Sequence, residues 1–201
     1  MSAEHTLAKN GVRRGTIVLV RHGHSAHVHD RRWMSSAGVP VFERAYNDAG
    51  IRDDSEPPPA LREIAARVEV IAASDMLRAI ASARRLAPAR EPEVSPLLRE
   101  IELETPRWIP TKLRFPITAW DVVSYARWSL RLLVNADHEH MRRADAATDW
   151  LLERLRGHSS LLAVTHGGFR RILDARLRAR GWRRAPGALS YENWSSWVYT
   201  N

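Results

Sequence analysis

The sequence predicts an α/β fold with a largely parallel central sheet. Three apolar runs without polar alternation, at residues 16–20, 68–73 and 160–165, are typical of strands that are buried on both faces. Between and after these runs, apolar residues recur at helical spacing. Strands that alternate with helices favour parallel pairing through right-handed crossovers, because each helix then packs back onto the sheet.

The other elements follow in chain order. Turn residues and apolar periodicity predict helices over 41–49, 60–68, 76–86, 120–134, 139–156 and 169–180. A short strand is expected at 93–98, and alternating Leu, Tyr and Trp residues over 188–199 indicate an edge strand or a hairpin. The segment after the first strand has no clear period and is expected to form a loop over the end of that strand.

Length and composition indicate a single globular domain over residues 16–201. The chain has 201 residues, of which 44% are hydrophobic and 27% charged, so it can bury one full core. Residues 1–15 are polar and lack the apolar stretch of a signal peptide, which predicts a disordered basic leader. No apolar run approaches the roughly 18 residues needed to span a bilayer. We therefore expect a cytoplasmic protein.

The absence of cysteine excludes some kinds of site, and the net charge indicates the kind of partner. The chain has no cysteine, which excludes disulfides, thiolate nucleophiles and cysteine-based zinc sites. The net charge is +8 and comes almost wholly from arginine, since Lys9 and Lys112 are the only lysines. A basic balance favours anionic partners, whether phosphorylated metabolites, nucleic acid or an anionic membrane surface, and does not by itself choose among them.

Basic side chains are predicted to gather at one edge of the sheet. Arg21 and His22 directly follow the first apolar run, and His166 directly follows the third. Arg78 falls in the first turn of the helix after the second run, where a cation opposes the helix dipole unless an anion binds in front of it. Ligands of open α/β sheets bind beyond the carboxyl ends of the strands. These four residues therefore predict a pocket for a dianion.

A group of carboxylates follows the fourth predicted strand. Glu100, Glu102 and Glu104 alternate with Ile101 and Leu103. If the segment is extended, the three carboxylates share one face, because successive side chains of a strand point to opposite sides. We expect one of them to enter the site.

Four short motifs together resemble a known family. They are Val20-Arg21-His22-Gly23-His24-Ser25, Ser74-Asp75-Met76-Leu77-Arg78-Ala79, Leu98-Arg99-Glu100 and Thr165-His166-Gly167-Gly168. In order and spacing they resemble the motifs of the histidine phosphatase superfamily, also called phosphoglycerate-mutase-like. The resemblance spans about residues 16–177 and implies a three-layer α/β/α fold.

The resemblance also implies roles for the residues that would handle the phosphoryl group. His22 would be the nucleophile, because an imidazole nitrogen can attack phosphorus and form a phosphohistidine. Arg21, Arg78 and His166 would hold the transferred group and stabilise its spreading negative charge. Ser25 would be a further phosphate-binding residue.

The same resemblance implies a general acid. Glu100 fits the L-x-E spacing of the family and would protonate the leaving oxygen and then deprotonate water. Glu102 shares its predicted face and is the alternative. Family members often carry Glu and Asn at the positions that His24 and Val28 occupy here.

A metal site is the competing chemical interpretation of the histidines. His22, His24, His27 and His29 lie close together in sequence, with His138 or His140 as possible further ligands. The guanidinium of Arg21 beside His22 is unfavourable next to a bound cation. We therefore expect no metal and no cofactor.

The expected function is metal-independent phosphomonoester hydrolysis. The partner would be a small phosphorylated substrate or a phosphoprotein, rather than nucleic acid or a membrane, and the oligomeric state is not predicted. Phosphoglycerate mutase activity is one alternative, although mutases of the family carry Tyr-Gly after the acid's motif, where this chain has residues 104–108. A non-catalytic module that binds anions or phosphoproteins is the other alternative.

Overall fold

The computed structural model describes residues 15–27, 33–103, 105–106, 108–134, 139–187 and 189–201, without the side chains of residue 128 and residues 131–134. The strands are β1 (Thr16–Arg21), β2 (Trp33–Met34), β3 (Val70–Ser74), β4 (Glu93–Ser95), β5 (Phe115–Pro116), β6 (Ser160–Thr165), β7 (Arg183–Arg184) and β8 (Ser196–Thr200). The helices are α1 (Val39–Asn47), α2 (Pro59–Arg67), α3 (Leu77–Leu86), α4 (Ile117–Val134), α5 (Glu139–Leu155) and α6 (Gly167–Ala179).

The central sheet has six strands in the order β4-β3-β6-β1-β8-β7. Strands β4, β3, β6 and β1 are parallel, whereas β8 and β7 run antiparallel. In the register of β1 and β6, Arg21 is paired with Thr165. The residues that follow these two strands, His22 and His166, therefore leave the sheet side by side.

Helices cover both faces of the sheet, as the predicted three-layer α/β/α class requires. Alternate residues of β1 separate the two faces: Ile17 and Leu19 belong to the core cluster with α5 and α6, whereas Val18 and Val20 belong to the cluster with α2 and α3. All four are buried. The continuous apolar runs are explained by this arrangement, because a strand covered on both faces has no solvent side. The predicted fold class is confirmed.

A smaller apolar cluster joins α1, α4 and the two-stranded sheet of β2 and β5. Its buried members are Met34, Val39, Ile117 and Trp120, and the Trp120 Nε1 donates a hydrogen bond to the Met34 carbonyl at 3.0 Å. Side chains of α1 and α4 line a cavity together with residues at the carboxyl ends of β1 and β6. This cluster therefore forms one wall of the site.

The structure differs from the sequence-based expectations in three places. Strand β4 ends at Ser95, because Pro96 begins a 3-10 turn in which the Ser95 hydroxyl accepts the Leu97 N–H at 3.3 Å. Residues 101–103 are not a strand. In the tail, β8 lies inside the sheet between β1 and β7, so the edge strand of the hairpin is β7.

Residues 1–14 of the predicted leader lie outside the described residues. Across the part of the chain that the structure covers, every helix is too short or too polar to traverse a lipid bilayer.

Candidate active site

His22 lies at the centre of the site and is 2% exposed. It directly follows β1, and its backbone N–H donates to the Thr165 carbonyl of β6 at 3.0 Å. The Nδ1 atom lies 2.7 Å from the Gly23 carbonyl, which can only accept, so Nδ1 carries the proton and Nε2 is left with a lone pair.

Arg78 lies on the other side of the His22 ring. It is 1% exposed, and its Nε donates to His22 Nε2 at 3.3 Å. Its other donors go to the Tyr46 carbonyl and to Asn47 Oδ1, both at 3.2 Å, and its guanidinium lies 4.4 Å from the centroid of the Tyr46 ring. A further donor goes to the Met76 sulfur at 3.3 Å, so neutral acceptors satisfy the donors without cancelling the charge.

His166 and Arg21 have polar atoms without partners. His166 is fully buried, its ring centroid lies 5.0 Å from that of His22, and neither ring nitrogen has a hydrogen-bond partner among the described residues. Within the same residues, the buried Arg21 Nε also lacks a partner, while another guanidinium nitrogen donates to the Tyr191 carbonyl. Buried polar atoms rarely stay unpaired in folded proteins, so this cluster is a candidate ligand site.

Burial keeps both histidines neutral. Desolvation, followed by the charge of Arg78, holds the pKa of His22 well below its usual range. For His166, desolvation also dominates, and His22 and Arg78 lower its pKa further. Burial likewise lowers the pKa of Arg78, which stays charged near neutral pH.

The turn after β1 is held by two serines that the sequence reasoning missed. The Gly23 N–H donates to Ser82 Oγ at 2.9 Å, and that hydroxyl donates to the Arg78 carbonyl at 2.6 Å. The His24 N–H donates to Ser55 Oγ at 2.8 Å. Ser82 lies one helical turn after Arg78, and that spacing was the only available signal for it.

Residues 190–195 hold the same turn from the opposite side. Asn193 Nδ2 donates to the carbonyls of His22 and Gly23 at 2.9 and 3.1 Å. This loop is fixed by Arg170, which is 0% exposed and donates to the carbonyls of Ser195 and Ser190 at 2.6 and 2.8 Å. No local motif marks Arg170 or Asn193, because their function depends on contacts between distant segments.

Glu100 lies at the amino-terminal end of α6, which begins directly after His166. Its Oε1 accepts the N–H groups of Phe169 and Ile101 at 2.7 and 3.0 Å, and its Oε2 accepts that of Gly168 at 3.1 Å. A Cβ on Gly168 would lie 2.9 Å from Oε1, so glycine is needed there for the carboxylate to approach the helix.

A cavity of about 320 Å³ lies next to Glu100 and Arg78. Glu100 and Glu102 both line it, with Arg21 and Arg78. Glu102 is exposed, and Glu104 lies outside the described residues. The cavity is also lined by residues that were not predicted: Phe42, Glu43, Tyr46 and Asn47 of α1, and Asp121 and Tyr125 of α4.

Ser25 lies in a second cavity, of about 450 Å³, which is also lined by Arg21 and Tyr46. Its backbone forms an isolated bridge with Ile51, and its hydroxyl accepts the His27 N–H at 3.2 Å. The structure therefore places Ser25 near Arg21 but outside the cavity that contains Arg78 and Glu100.

The histidines proposed for a metal site do not form one in the described part of the chain, where no three His, Asp or Glu side chains could hold an ion. The His24 ring lies 3.3 Å from Ser55 Oγ, and His27 packs edge-on against Phe42 with centroids 4.9 Å apart. His29 and His138 lie outside the described residues.

Solved structures share this fold. A mycobacterial hydrolase has 19% identity and a TM-score of 0.57, with coverage of 92% of this chain and 91% of that chain. A phosphoserine phosphatase from Entamoeba histolytica, solved with phosphoserine, has 12% identity and a TM-score of 0.54, with coverage of 92% and 89%. The product of a Mycobacterium tuberculosis open reading frame has 16% identity and a TM-score of 0.51, with coverage of 92% and 90%. These similarities show that the chain shares the fold of these three structures.

The sequence profile of the histidine phosphatase superfamily (branch 1) matches residues 17–195. The chain belongs to this superfamily, which confirms the resemblance inferred from the four motifs. No curated protein sequence matches the chain.

Gly23→Ala is expected to destabilise the protein. An added Cβ would lie 2.4 Å from the Trp194 ring and 2.7 Å from Ser55 Oγ, and overpacking of this kind costs about 1–3 kcal/mol. Gly50→Ala is the matched control, because no atom lies within 4 Å of its added Cβ. Urea unfolding measures both, and equal midpoints for wild type and Gly23→Ala would contradict the packing.

Acid is expected to destabilise the fold through the buried histidines. Because their folded-state pKa lies below the unfolded value of about 6.5, the unfolded chain binds more protons at acid pH, so stability is full above that value and falls below it. At pH 5.5 each histidine would contribute at most about 1.4 kcal/mol to this loss. In phosphate-free buffer, His166→Gln should lose less stability than wild type between pH 7.5 and 5.5. An equal loss in both proteins would be the contrary result.

Proposed function

We propose that this protein is a metal-independent phosphatase that hydrolyses small phosphomonoesters through a phosphohistidine on His22. The observation that carries the proposal is the state of the His22 ring. Its Nδ1 proton is directed to the Gly23 carbonyl at 2.7 Å, and its low pKa keeps Nε2 unprotonated at neutral pH. Arg78 Nε donates to this Nε2 at 3.3 Å, so in the proposed reaction the phosphoryl oxygens take over that N–H and the freed Nε2 lone pair attacks phosphorus.

The surrounding charges suit a phosphoryl group in transfer. Such a group spreads negative charge over three equatorial oxygens and is stabilised by fixed donors around them. Arg78 supplies a buried charge, and Arg21 and His166 supply donor atoms that lack partners among the described residues. Ser25 is proposed as an outer phosphate contact, reached through the cavity that it shares with Arg21.

In the proposed reaction, the His22 Nε2–P bond forms while the bond from phosphorus to the leaving oxygen breaks. Glu100 gives its proton to that oxygen. Water then attacks phosphorus, its proton passes to Glu100, the N–P bond breaks and inorganic phosphate leaves. The Glu100 Oε2 accepts only one described N–H and can carry the proton on its other lone pair.

The relatives of known fold support a small substrate. The Entamoeba histolytica phosphoserine phosphatase was solved with phosphoserine and with 3-phosphoglyceric acid, both small phosphomonoesters. The cavity of about 320 Å³ is large enough for a ligand of this size.

His22→Ala is expected to abolish hydrolysis of p-nitrophenyl phosphate, with a loss of about 10³-fold or more in kcat. Rapid quenching of wild type with labelled substrate should trap an acid-labile phosphoenzyme. The matched control is His158→Ala, because His158 pairs with Glu69 on the surface. Substantial turnover by a folded His22→Ala protein would contradict the assignment of His22 as the nucleophile.

Glu100→Gln is expected to slow alkyl phosphates by about 10²-fold or more and to affect p-nitrophenyl phosphate much less, because nitrophenolate leaves without a proton. Glu102→Gln is the comparison, since it lines the same cavity. Glutamine also loses one acceptor for the α6 amides, and any loss of folded protein lowers both rates equally. The alkyl-to-aryl ratio therefore isolates the acid, and a split in Glu102→Gln alone would assign that role to Glu102.

A further inference from the structure

The cavity that Arg78 and Glu100 line carries charges of both signs. Arg21 and Arg78 lie at the strand-end side, where the phosphoryl group is proposed to bind. The walls that would surround the leaving group carry carboxylates from three separate segments: Glu43 of α1, Glu102 of the irregular segment and Asp121 of α4. A substrate that complements charges of both signs carries a phosphate group and, on its leaving group, a positive charge.

Among the described residues no salt bridge pairs Glu43 or Asp121 with a cation, although Arg78 and Arg21 act on them electrostatically. The nearby cation of Arg99 is bound by both oxygens of Asp75, at 2.7 and 2.6 Å. Glu43 accepts the Leu103 N–H at 2.8 Å. No described residue forms a hydrogen bond or an ion pair with Asp121. These carboxylates are therefore available to attract a positively charged group of a ligand that enters the cavity.

Burial and the repulsion between neighbouring carboxylates raise the pKa values of Asp121 and Glu43. Desolvation, and then the charge of Glu100, raises the pKa of Asp121 to about 6. Desolvation also raises the pKa of Glu43, with further contributions from Glu102 and Glu100. A bound cation would relieve both effects, because it stabilises the ionised form of each carboxylate.

Aromatic rings complete the same walls. Phe42 and Tyr46 of α1 and Tyr125 of α4 line the cavity, and the Tyr46 ring already lies against the guanidinium of Arg78. Aromatic faces beside carboxylates are the environment that alkylammonium groups bind in proteins. They also offer apolar contact for methyl groups on nitrogen.

A second, independent observation points to a ligand beside His22 and Arg78. His166 is fully buried, and neither of its ring nitrogens has a partner among the described residues. It lies beside His22, whose Nε2 receives the Arg78 N–H. Arg78 connects His22 to the cavity, because it contacts the His22 ring and also lines the cavity.

On these observations, and resting on the proposed phosphatase function, we propose that the preferred substrates are phosphate esters of amino alcohols, with an ammonium group on the leaving alcohol and no carboxylate. The phosphate end pairs with Arg21 and Arg78, and the ammonium end lies between Glu43 and Asp121. A substrate with a carboxylate on the leaving group, such as 3-phosphoglycerate, meets like charge at the same walls.

The test compares phosphocholine with 3,3-dimethylbutyl phosphate, in which carbon replaces the charged nitrogen without a change of shape. At pH 7.5, kcat/KM for phosphocholine should exceed that for the neutral ester about tenfold or more, and 3-phosphoglycerate should be the slowest of the three. Equal rates, or faster hydrolysis of the neutral ester or of 3-phosphoglycerate, would overturn the proposal. No turnover of any ester, p-nitrophenyl phosphate included, would instead refute the phosphatase function.

Two variants connect the preference to the walls. Glu43→Gln and Asp121→Asn should each lower the ratio of kcat/KM for phosphocholine to that for the neutral ester toward one. Glu91→Gln is the matched control, because Glu91 pairs with Arg84 on the surface. A ratio that survives both wall variants would show that these carboxylates do not select the cation.

The pH dependence of the same ratio is a second readout. Asp121 faces the charges of Glu100 and Arg21, with Glu43 and Glu102 across the cavity. Since Asp121 ionises near pH 6, the ratio in wild type should rise between pH 5 and 7.5. The ammonium charge lowers the second phosphate pKa of phosphocholine relative to that of the neutral ester. The rise in wild type is therefore compared with the rise in Asp121→Asn, in which this difference is the same. A smaller rise in Asp121→Asn is expected, and an identical rise would contradict the role of Asp121.

Discussion

The site depends on positive charge that is buried without a carboxylate partner. Arg78 and Arg170 are 1% and 0% exposed, and their donors end on carbonyl, amide and hydroxyl oxygens or on methionine sulfur. A carboxylate would cancel each charge, whereas neutral acceptors only satisfy the N–H groups. Aromatic rings of Tyr46 and Trp197 cover the guanidinium faces at 4.4 and 4.0 Å. Burial, and then the charge of Arg78, keeps His22 neutral, and the buried positive charge attracts an anion.

The geometry of the site is fixed by hydrogen bonds to backbone groups of segments that are distant in sequence. Arg170 of α6 fixes residues 190–195, and Asn193 then holds the carbonyls of His22 and Gly23. Ser82 of α3 holds the same turn from the other side. Each contact is modest by itself, but buried networks of this kind specify one geometry because a broken member leaves the others unsatisfied.

The parts of the molecule that the sequence predicted are those with a local pattern. Apolar runs identified the three central strands. Because Arg21, His22 and His166 lie at or directly after the carboxyl ends of two of these strands, their position at one edge of the sheet could also be predicted. The positions of Glu43 and Asp121 in the cavity were not predicted, because α1 and α4 have ordinary helical patterns and their placement over the strand ends is set by tertiary packing. Asp121 looks like any surface carboxylate until its cavity is known.

The contact between residues 190–195 and the turn after β1 also determines when the site can form. Asn193 and His22 are 171 residues apart, and contacts of such long separation form late because the intervening chain must first be ordered. During synthesis, His22 leaves the ribosome long before the loop that fixes it. A nascent chain therefore contains every motif residue before the candidate site is assembled, and the activity proposed for the site would appear only once the chain has folded.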